Sequence, residues 1–424
     1  MKRIISVLCL TAMIAAFAPS QSSPGPASVD RSAASQSISE ARKAIDDKPM
    51  EYAGYNLLAA ALVRRAQERS DASGYAQAKD VVKKSLEIAP NNFDAEKIQV
   101  SILLGEHEFL AALDLATKLN QRVPDDVMVY GLLTDANVGL GNYKDAEIAA
   151  QWMLNLRPGN LPALTRAAHL RELFGETEGA YELLELAHQS TAPTETGERA
   201  RILTQMGHLR LASGSTDAAE KLLQQALASF PGYPAALENL AQVRITQKRY
   251  AEAVVLWQQC DQAAPRAKHL FDRAEALQLA GRDAEAEKVF ADFETKSLAE
   301  SDRHDNSNRE LVFYYADHAH LPVKALDIAK REYAWRHDVY TMDAYAWALH
   351  VNGHDEEART QVEAALALGI RDSKIFTHAG EIALKLGDRA TSQDYLQKAV
   401  SLHSIGSEQA RLVLAQLSAT SGPR

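Results

Sequence analysis

The stretch Gly141-Asn142-Tyr143-Lys144-Asp145-Ala146-Glu147-Ile148-Ala149-Ala150, with Pro158 a little further on, decides the fold. Read outward from it, the same pattern returns along the chain. A small residue stands at Ala78, Ala112, Ala146, Ala180, Ala219, Ala253, Ala286, Ala325, Ala358 and Ser392, at intervals of 33 or 34 residues apart from two of 39. A glycine precedes it by five positions at Gly141, Gly175, Gly214, Gly281, Gly353 and Gly387, and a proline follows it by twelve at Pro90, Pro124, Pro158, Pro231 and Pro265. The residue four places after the small one is apolar every time, from Val82 and Ala116 through Trp257 and Phe290 to Leu396. Several independent markers in one register describe a repeat, and repeats stack into one continuous core. At ~150 residues per domain the 424-residue length would suggest two to four domains, but the period predicts one elongated array.

Each marker has a physical reason. The residues between markers carry apolar side chains at helical spacing, as in Leu237, Leu240 and Ala241 and then Ala253, Val254 and Trp257, so each period is two amphipathic helices. The glycine ends the first helix where a positive φ is needed, and the proline closes the second. The small residue lies where the two helices cross, because a larger side chain would hold the backbones apart.

A 34-residue helix-turn-helix unit with Gly-x4-Ala-x11-Pro, often with an aromatic three places before the alanine (Tyr75, Phe109, Tyr143, Tyr250), resembles the tetratricopeptide repeat. The resemblance covers about residues 50–404. It implies an all-α fold, an α-α superhelix (solenoid) of about ten tetratricopeptide-like helix-turn-helix repeats. The expected organisation is an array over residues 49–404 and a C-terminal capping helix and tail over 405–424, with Ser407 to Ser418 as the helix after an Ile405-Gly406 turn. The first unit departs from the pattern in its long Met50 to Gly74 segment, and the unit around Ala325 is the least regular, with His320 and Pro322 at marker positions. Insertions of five residues fall near Thr191 to Glu198 and Lys296 to Asn306.

The beginning of the chain is read separately. Lys2 and Arg3 precede the mostly apolar run Ile4 to Ala18 and then small residues, the pattern of a secretory signal peptide over residues 1–20, with a cut expected after Ser20. Residues 21–48, rich in Ser, Pro, Ala and Gln, are expected to be a flexible lead-in. Periplasmic or secreted localisation follows, with no stable membrane insertion once the signal is cut. Cys260 would then be the lone cysteine, so no intramolecular disulfide is available. The formal charge of -10, which becomes two charges more negative without the leader, argues against a nucleic-acid partner.

No motif for catalysis is present: neither GxGxxG, nor a phosphate-binding loop, CxxC or nucleophile elbow. His107-Glu108 begins like a zinc-hydrolase motif, but Ala111 stands where the second histidine belongs. His318-Ala319-His320 with Asp317 reads as a solvated helix end, and Asp302, His304 and Asp305 as part of a polar loop. Cys260 takes the small position occupied in other units by Met153, Ala187, Ala226 and Ala399, the place of an inert core residue. No enzyme activity, cofactor or metal is expected.

The resemblance implies that the first helix of each unit lines the concave side, the usual ligand surface. Mapped onto the units around Ala325 and Ala358, that side receives Glu310, Tyr314, Asp317 and His318, then Tyr340, Asp343, Trp347 and His350. Tyr345, Ala346 and Leu349 already fill the core positions of the second of these helices, which leaves Trp347 surplus to packing. Aromatic faces offer stacking, and the neighbouring carboxylates can accept hydrogen bonds or pair with a cation. The chaperone-tail clamp of some tetratricopeptide domains is not matched by Lys97, Ser101 and Leu132. The asparagine ladder of the sugar-transferring members is absent, with Asn239 an isolated match. The expectation is a non-enzymatic protein-protein interaction scaffold in the cell envelope, binding a peptide segment or partner protein in its concave groove, with a basic or polar segment favoured. The alternative is a polysaccharide-associated envelope protein stacking sugars on Tyr314, Tyr340 and Trp347.

Overall fold

The computed structural model describes residues 33–402 and 407–419. The expected signal peptide, the start of the lead-in, the Ile405-Gly406 turn and the last five residues lie outside the described residues. Among the described residues there are 22 α-helices, one π-helical turn and no strand. Ten helix pairs, numbered here as units 1 to 10, span residues 52–88, 93–122, 127–156, 161–190, 196–229, 234–263, 267–300, 308–333, 339–367 and 373–401. The final helix, Ser407–Ala419, packs on unit 10 through Ala410, Val413 and Leu417 and covers the open end of the core. No described helix is long and apolar enough to cross a membrane.

The unit is built as its markers require. The ten small residues, Ala78 to Ser392, are all completely buried at helix crossings. How close the helices come is measured at Gly207, where an added Cβ would lie 2.8 Å from Leu223 Cγ, the apolar residue four places after Ala219. Second helices end two residues before the prolines, at Ile88, Arg122, Leu156, Ser229 and Ala263. The next helix is then started by a side-chain cap in units 2, 3 and 4: Asn92 Oδ1 accepts from the Asp94 and Ala95 amides, and Asp126 and Asn160 cap in the same way.

The turn inside the unit needs a left-handed residue whether or not glycine is available. Gly141 adopts φ +79°, and the residues at the same place in units 2, 6 and 8, His107, Lys248 and His320, adopt +59°, +58° and +52°. Unit 1 makes this turn at Ser70, leaving Gly74 within the second helix, where an added Cβ would lie 2.8 Å from Ala66 Cβ.

Three segments differ from the regular pattern. Residues 33–47, expected to be part of a flexible lead-in, form a helix whose Ala34, Ile38 and Ala41 are buried. Their i, i+4, i+7 spacing makes one apolar stripe despite the Ser- and Gln-rich composition. The insertion near Thr191 lengthens the first helix of unit 5 to 17 residues, Thr196–Ala212. The insertion near Lys296 extends the second helix of unit 7 through Glu300, and unit 8 then opens with only Asn308–Phe313 before a π-helical turn over Tyr314–His318.

The superhelix closes on itself. The turn of each early unit meets the start of the sixth unit after it. Arg371 N donates to Leu173 O at 2.9 Å, Val339 N donates to Tyr143 Oη at 3.3 Å, and His304 Nδ1 lies 2.9 Å from Glu108 Oε2. Tyr143 and Leu173 thereby belong to the same apolar cluster as Val339, Ile370 and Ile375. The first insertion adds another closure, because Arg64 and Glu195 form an ion pair and Gly197 passes so near Glu68 that a Cβ would meet its carboxylate at 2.5 Å. Six units therefore make one turn, and the concave side of the first turn becomes a lumen.

Candidate functional site

Inside that turn lies a cavity of about 1290 Å³. Its wall comes from the first helices of units 1 to 4, with Arg64, Ser101, Asp135 and Arg166 facing in, and its far side from Pro265-Arg266 and Arg303 to Asp305. Six arginines and four carboxylates line it. Arg166 is bound to Asp135 by two hydrogen bonds of 2.8 and 2.5 Å, and Arg64 to Glu68 at 2.8 Å. Among the described residues, the lining side chains of Arg157 and Arg266 make no ion pair or hydrogen bond. Arg157 and Arg266 are thus cations of the lining left open to a guest, in a chain whose formal charge is -10. The effect of the lining is visible on neighbours. Burial, followed by Arg336 and Arg266, pushes the His107 imidazole down to about 4, and burial pushes the Tyr75 phenol up to about 12 against the pull of Arg266.

None of the eight residues expected to line the groove is in the wall of this cavity. They lie on the first helices of units 8 and 9, where the structure sorts them into three groups. Glu310 is buried and paired with Arg309 at 2.9 Å, and the Arg309 guanidinium sits 5.5 Å from the Tyr340 ring centre. Burial works to raise the Glu310 carboxyl, but Arg309 and Lys268 hold it at about 2. Tyr314 stacks on Phe290 at 5.3 Å, while His318 packs 4.6 Å from the same ring with its Nε2 3.5 Å from Glu275 Oε1. Trp347, the third centre, donates its Nε1–H to Asp317 Oδ1 at 2.8 Å and stacks on His378 at 4.2 Å. His378 Nδ1 lies 2.8 Å from the buried Asp343 Oδ1, and His350 Nδ1 2.6 Å from Asp355 Oδ1.

These contacts belong to a ladder that joins consecutive first helices. Asp135 meets Arg166, Glu172 meets His208, His208 meets Asn239, Glu238 meets His269, Glu275 meets His318, Asp317 meets Trp347 and Asp343 meets His378. The acid on one helix faces a donor about one unit later because the same helix face repeats with the period of the array. Carboxylates that the sequence presents as ligand acceptors are therefore already satisfied by their neighbours. Trp347, surplus to the core of its own unit, packs on His378 of the next. His378, Arg309 and the cavity arginines were not singled out from the sequence. A donor placed 30 to 36 residues after the acid, or 43 where the insertion near Lys296 intervenes, was the available signal for the ladder; the cavity has no local signal.

Comparison with known proteins agrees with this architecture. A family model described as tetratricopeptide repeat matches residues 204–260, most of units 5 and 6. No curated protein sequence matches the chain. Among solved structures, the chain is similar to the human IFIT1 dimer with PPP-AAAA, at 13% identity over 87% of this chain and 94% of that one, with a TM-score of 0.50. The human IFIT1 dimer with m7Gppp-AAAA gives 12% identity over the same shares and a TM-score of 0.51. The Cut9-Hcn1 hetero-tetramer of APC/C gives 15% identity over 89% of this chain and a TM-score of 0.46, and the chain spans 59% of the length of that protein. At these identities the likeness concerns the fold, an α-α superhelix of the kind that generally serves as a protein-interaction scaffold. The ten units, their markers and the family match agree that the chain is a tetratricopeptide-repeat protein.

Proposed function

We propose that the chain is a non-enzymatic scaffold of the cell envelope that holds an extended peptide segment of a partner protein in the lumen of its first superhelical turn. The observation that carries this reading is the cavity of about 1290 Å³, in which Arg157 and Arg266 stand without partners. Arg266 is half-buried and Arg157 exposed, and neither makes an ion pair among the described residues, so both guanidinium groups are available to pair with an anionic guest. The ligand is accordingly an acidic segment, where the carboxylates beside the aromatics had favoured a basic one. Those carboxylates are taken up by the ladder. The half-buried rings of Tyr314 and Trp347 form a second contact face in this reading, one that offers ring surface but no free indole donor. The basic start at Lys2 and Arg3 with the apolar run behind it supports export.

The test uses fluorescently labelled acidic, neutral and basic peptides of equal length, with a tetraadenylate bearing a 5′-triphosphate as counter-probe. Acidic peptides should bind, and Arg157→Glu with Arg266→Glu should reduce their affinity at least about tenfold with unchanged helicity. Equal binding of all three peptides, or preference for the triphosphate, would overturn the peptide assignment. Fractionation of cells expressing the full chain should recover a protein beginning at Gln21 outside the cytoplasm; an intact Met1 in the cytoplasmic fraction would overturn the envelope assignment.

A further inference from the structure

The geometry points to a divalent metal site, for an ion of the zinc type, formed by Glu238, Cys260 and His269. The three come from different helices: Glu238 from the first helix of unit 6 (Pro234–Thr246), Cys260 from its second (Tyr250–Ala263) and His269 from the first helix of unit 7 (Ala267–Leu279). Their ligand atoms all lie within 4.8 Å of one another, and Cys260 and His269 are completely buried.

The orientation of the His269 ring is what brings the three ligand atoms together. Its Nδ1 lies 2.8 Å from Ala264 O, and a carbonyl only accepts, so Nδ1 carries a proton. That fixes the tautomer and turns Nε2 toward Glu238 Oε1 at 3.0 Å and Cys260 Sγ at 3.6 Å. A carboxylate oxygen and an imidazole lone pair both accept, so either a proton on Nε2 or a metal ion lies between them, and the thiol beside them adds a third ligand for the metal. Anchoring one ring nitrogen on a backbone carbonyl while the other ligates is how metal-binding histidines are oriented.

The two spacings from His269 Nε2 suit one ion. A nitrogen about 2.1 Å and a sulfur about 2.3 Å from zinc at a tetrahedral angle stand about 3.6 Å apart, and two hard ligands about 3.4 Å apart. The observed sulfur–nitrogen distance already fits, and the oxygen–nitrogen distance has to open by about 0.4 Å, a side-chain adjustment. On binding, the Cys260 thiol, whose Sγ lies 3.5 Å from Pro234 O, releases its proton to solvent. Thiolate and carboxylate then balance the dication. Lys268 Nζ, 3.6 Å from Glu238 Oε2, holds the second carboxylate oxygen and is itself paired with Asp272 at 2.5 Å. Three protein ligands leave a fourth position for water, reached from the side on which Glu238 is half-exposed. A spacing of nine residues between Cys260 and His269, on separate helices, matches no sequence motif, which is why Cys260 reads as core from the sequence.

Metal-free full-length protein titrated with Co²⁺ tests the site. One equivalent should bind with a near-ultraviolet thiolate-to-cobalt charge-transfer band, be displaced by Zn²⁺, and give no such band in Cys260→Ser. His269→Gln, which keeps the thiol, should weaken Co²⁺ binding at least about tenfold and decides the matter if the serine variant fails to fold. A folded wild-type protein without the band, or a band that persists in Cys260→Ser, would overturn the assignment.

Discussion

Replacing Gly141 with alanine separates the cost of a left-handed turn from the cost of opening the superhelix. Gly141 and Gly353 occupy the same place in their units with the same φ of +79°. Alanine at either position incurs about 1–2 kcal/mol for a left-handed backbone. The surroundings differ. A Cβ on Gly353 meets nothing within 4 Å, whereas one on Gly141 would lie 2.9 Å from His337 O and 3.1 Å from Asp338 Cα, both backbone atoms of the overlying layer. Neither can rotate away, so the layers must separate by about 0.5 Å, and overpacking of this kind costs about a further 1–3 kcal/mol. The Val339 amide, hydrogen-bonded to Tyr143 Oη, sits beside this contact. Arrays unfold in stages, so the most direct readout is amide exchange at Val339 and Arg371 under native conditions. Gly141→Ala should accelerate exchange there about tenfold or more, since each 1.4 kcal/mol is a factor of ten, while Gly353→Ala should leave both amides unchanged. Identical exchange in the two variants would refute the closure.

Lys248→Gly should stabilise the protein by about 0.5–1 kcal/mol by relieving φ +58° at a turn where most other units have glycine, measured as a rise in Tm; a fall would mean that the lysine side chain is needed there. Ala253→Leu should destabilise by about 1–3 kcal/mol in urea unfolding, because the alanine is completely buried at a helix crossing, and an unchanged midpoint would refute the assigned register. The Glu172–His208 rung should make stability depend on pH. Burial works to raise the Glu172 carboxyl, but His169 and His208 hold it at about 2, so its contribution is present above 4.5 and is lost as pH falls toward 2. His208 is raised above 6.5 because Glu172 and Asn239 outweigh burial, so its contribution is complete below 6.5 and is lost as pH rises through the raised value. The rung is therefore strongest between about pH 4.5 and 6.5, and Glu172→Gln should flatten the decline on the alkaline side of that window; an unaltered Tm-versus-pH curve would refute it.

What was legible in the sequence is what one unit specifies locally. The alanine at a crossing, the proline after a helix and the apolar residue four places on each act within about a dozen residues, so ten copies align without knowledge of the whole. The lead-in helix was hidden because Ala34, Ile38 and Ala41 stand among serines and glutamines, and composition outweighed spacing. Glycine marks most of the inner turns but not those at His107, Lys248 and His320, where the geometry of the unit imposes φ > 0 on residues that disfavour it. The eight expected site residues fall on first helices, yet partners such as His378 for Trp347 and Asp343, or Arg309 for Tyr340, depend on how neighbouring helices align. Closure was the least legible feature. It results from a small rotation per unit summed over six units, and no residue pattern within one unit records that sum.

That closure creates the cavity and with it the proposed function, and a cross-link measures it. With Glu108→Cys and His304→Cys in the same chain, a short thiol cross-linker joins two positions 196 residues apart in sequence whose native side chains lie 2.9 Å apart. A closed superhelix predicts rapid intramolecular cross-linking in the folded protein, lost when the array is unfolded in urea. Thiols that react only singly under native conditions would mean that the first turn is open and that the lumen does not exist.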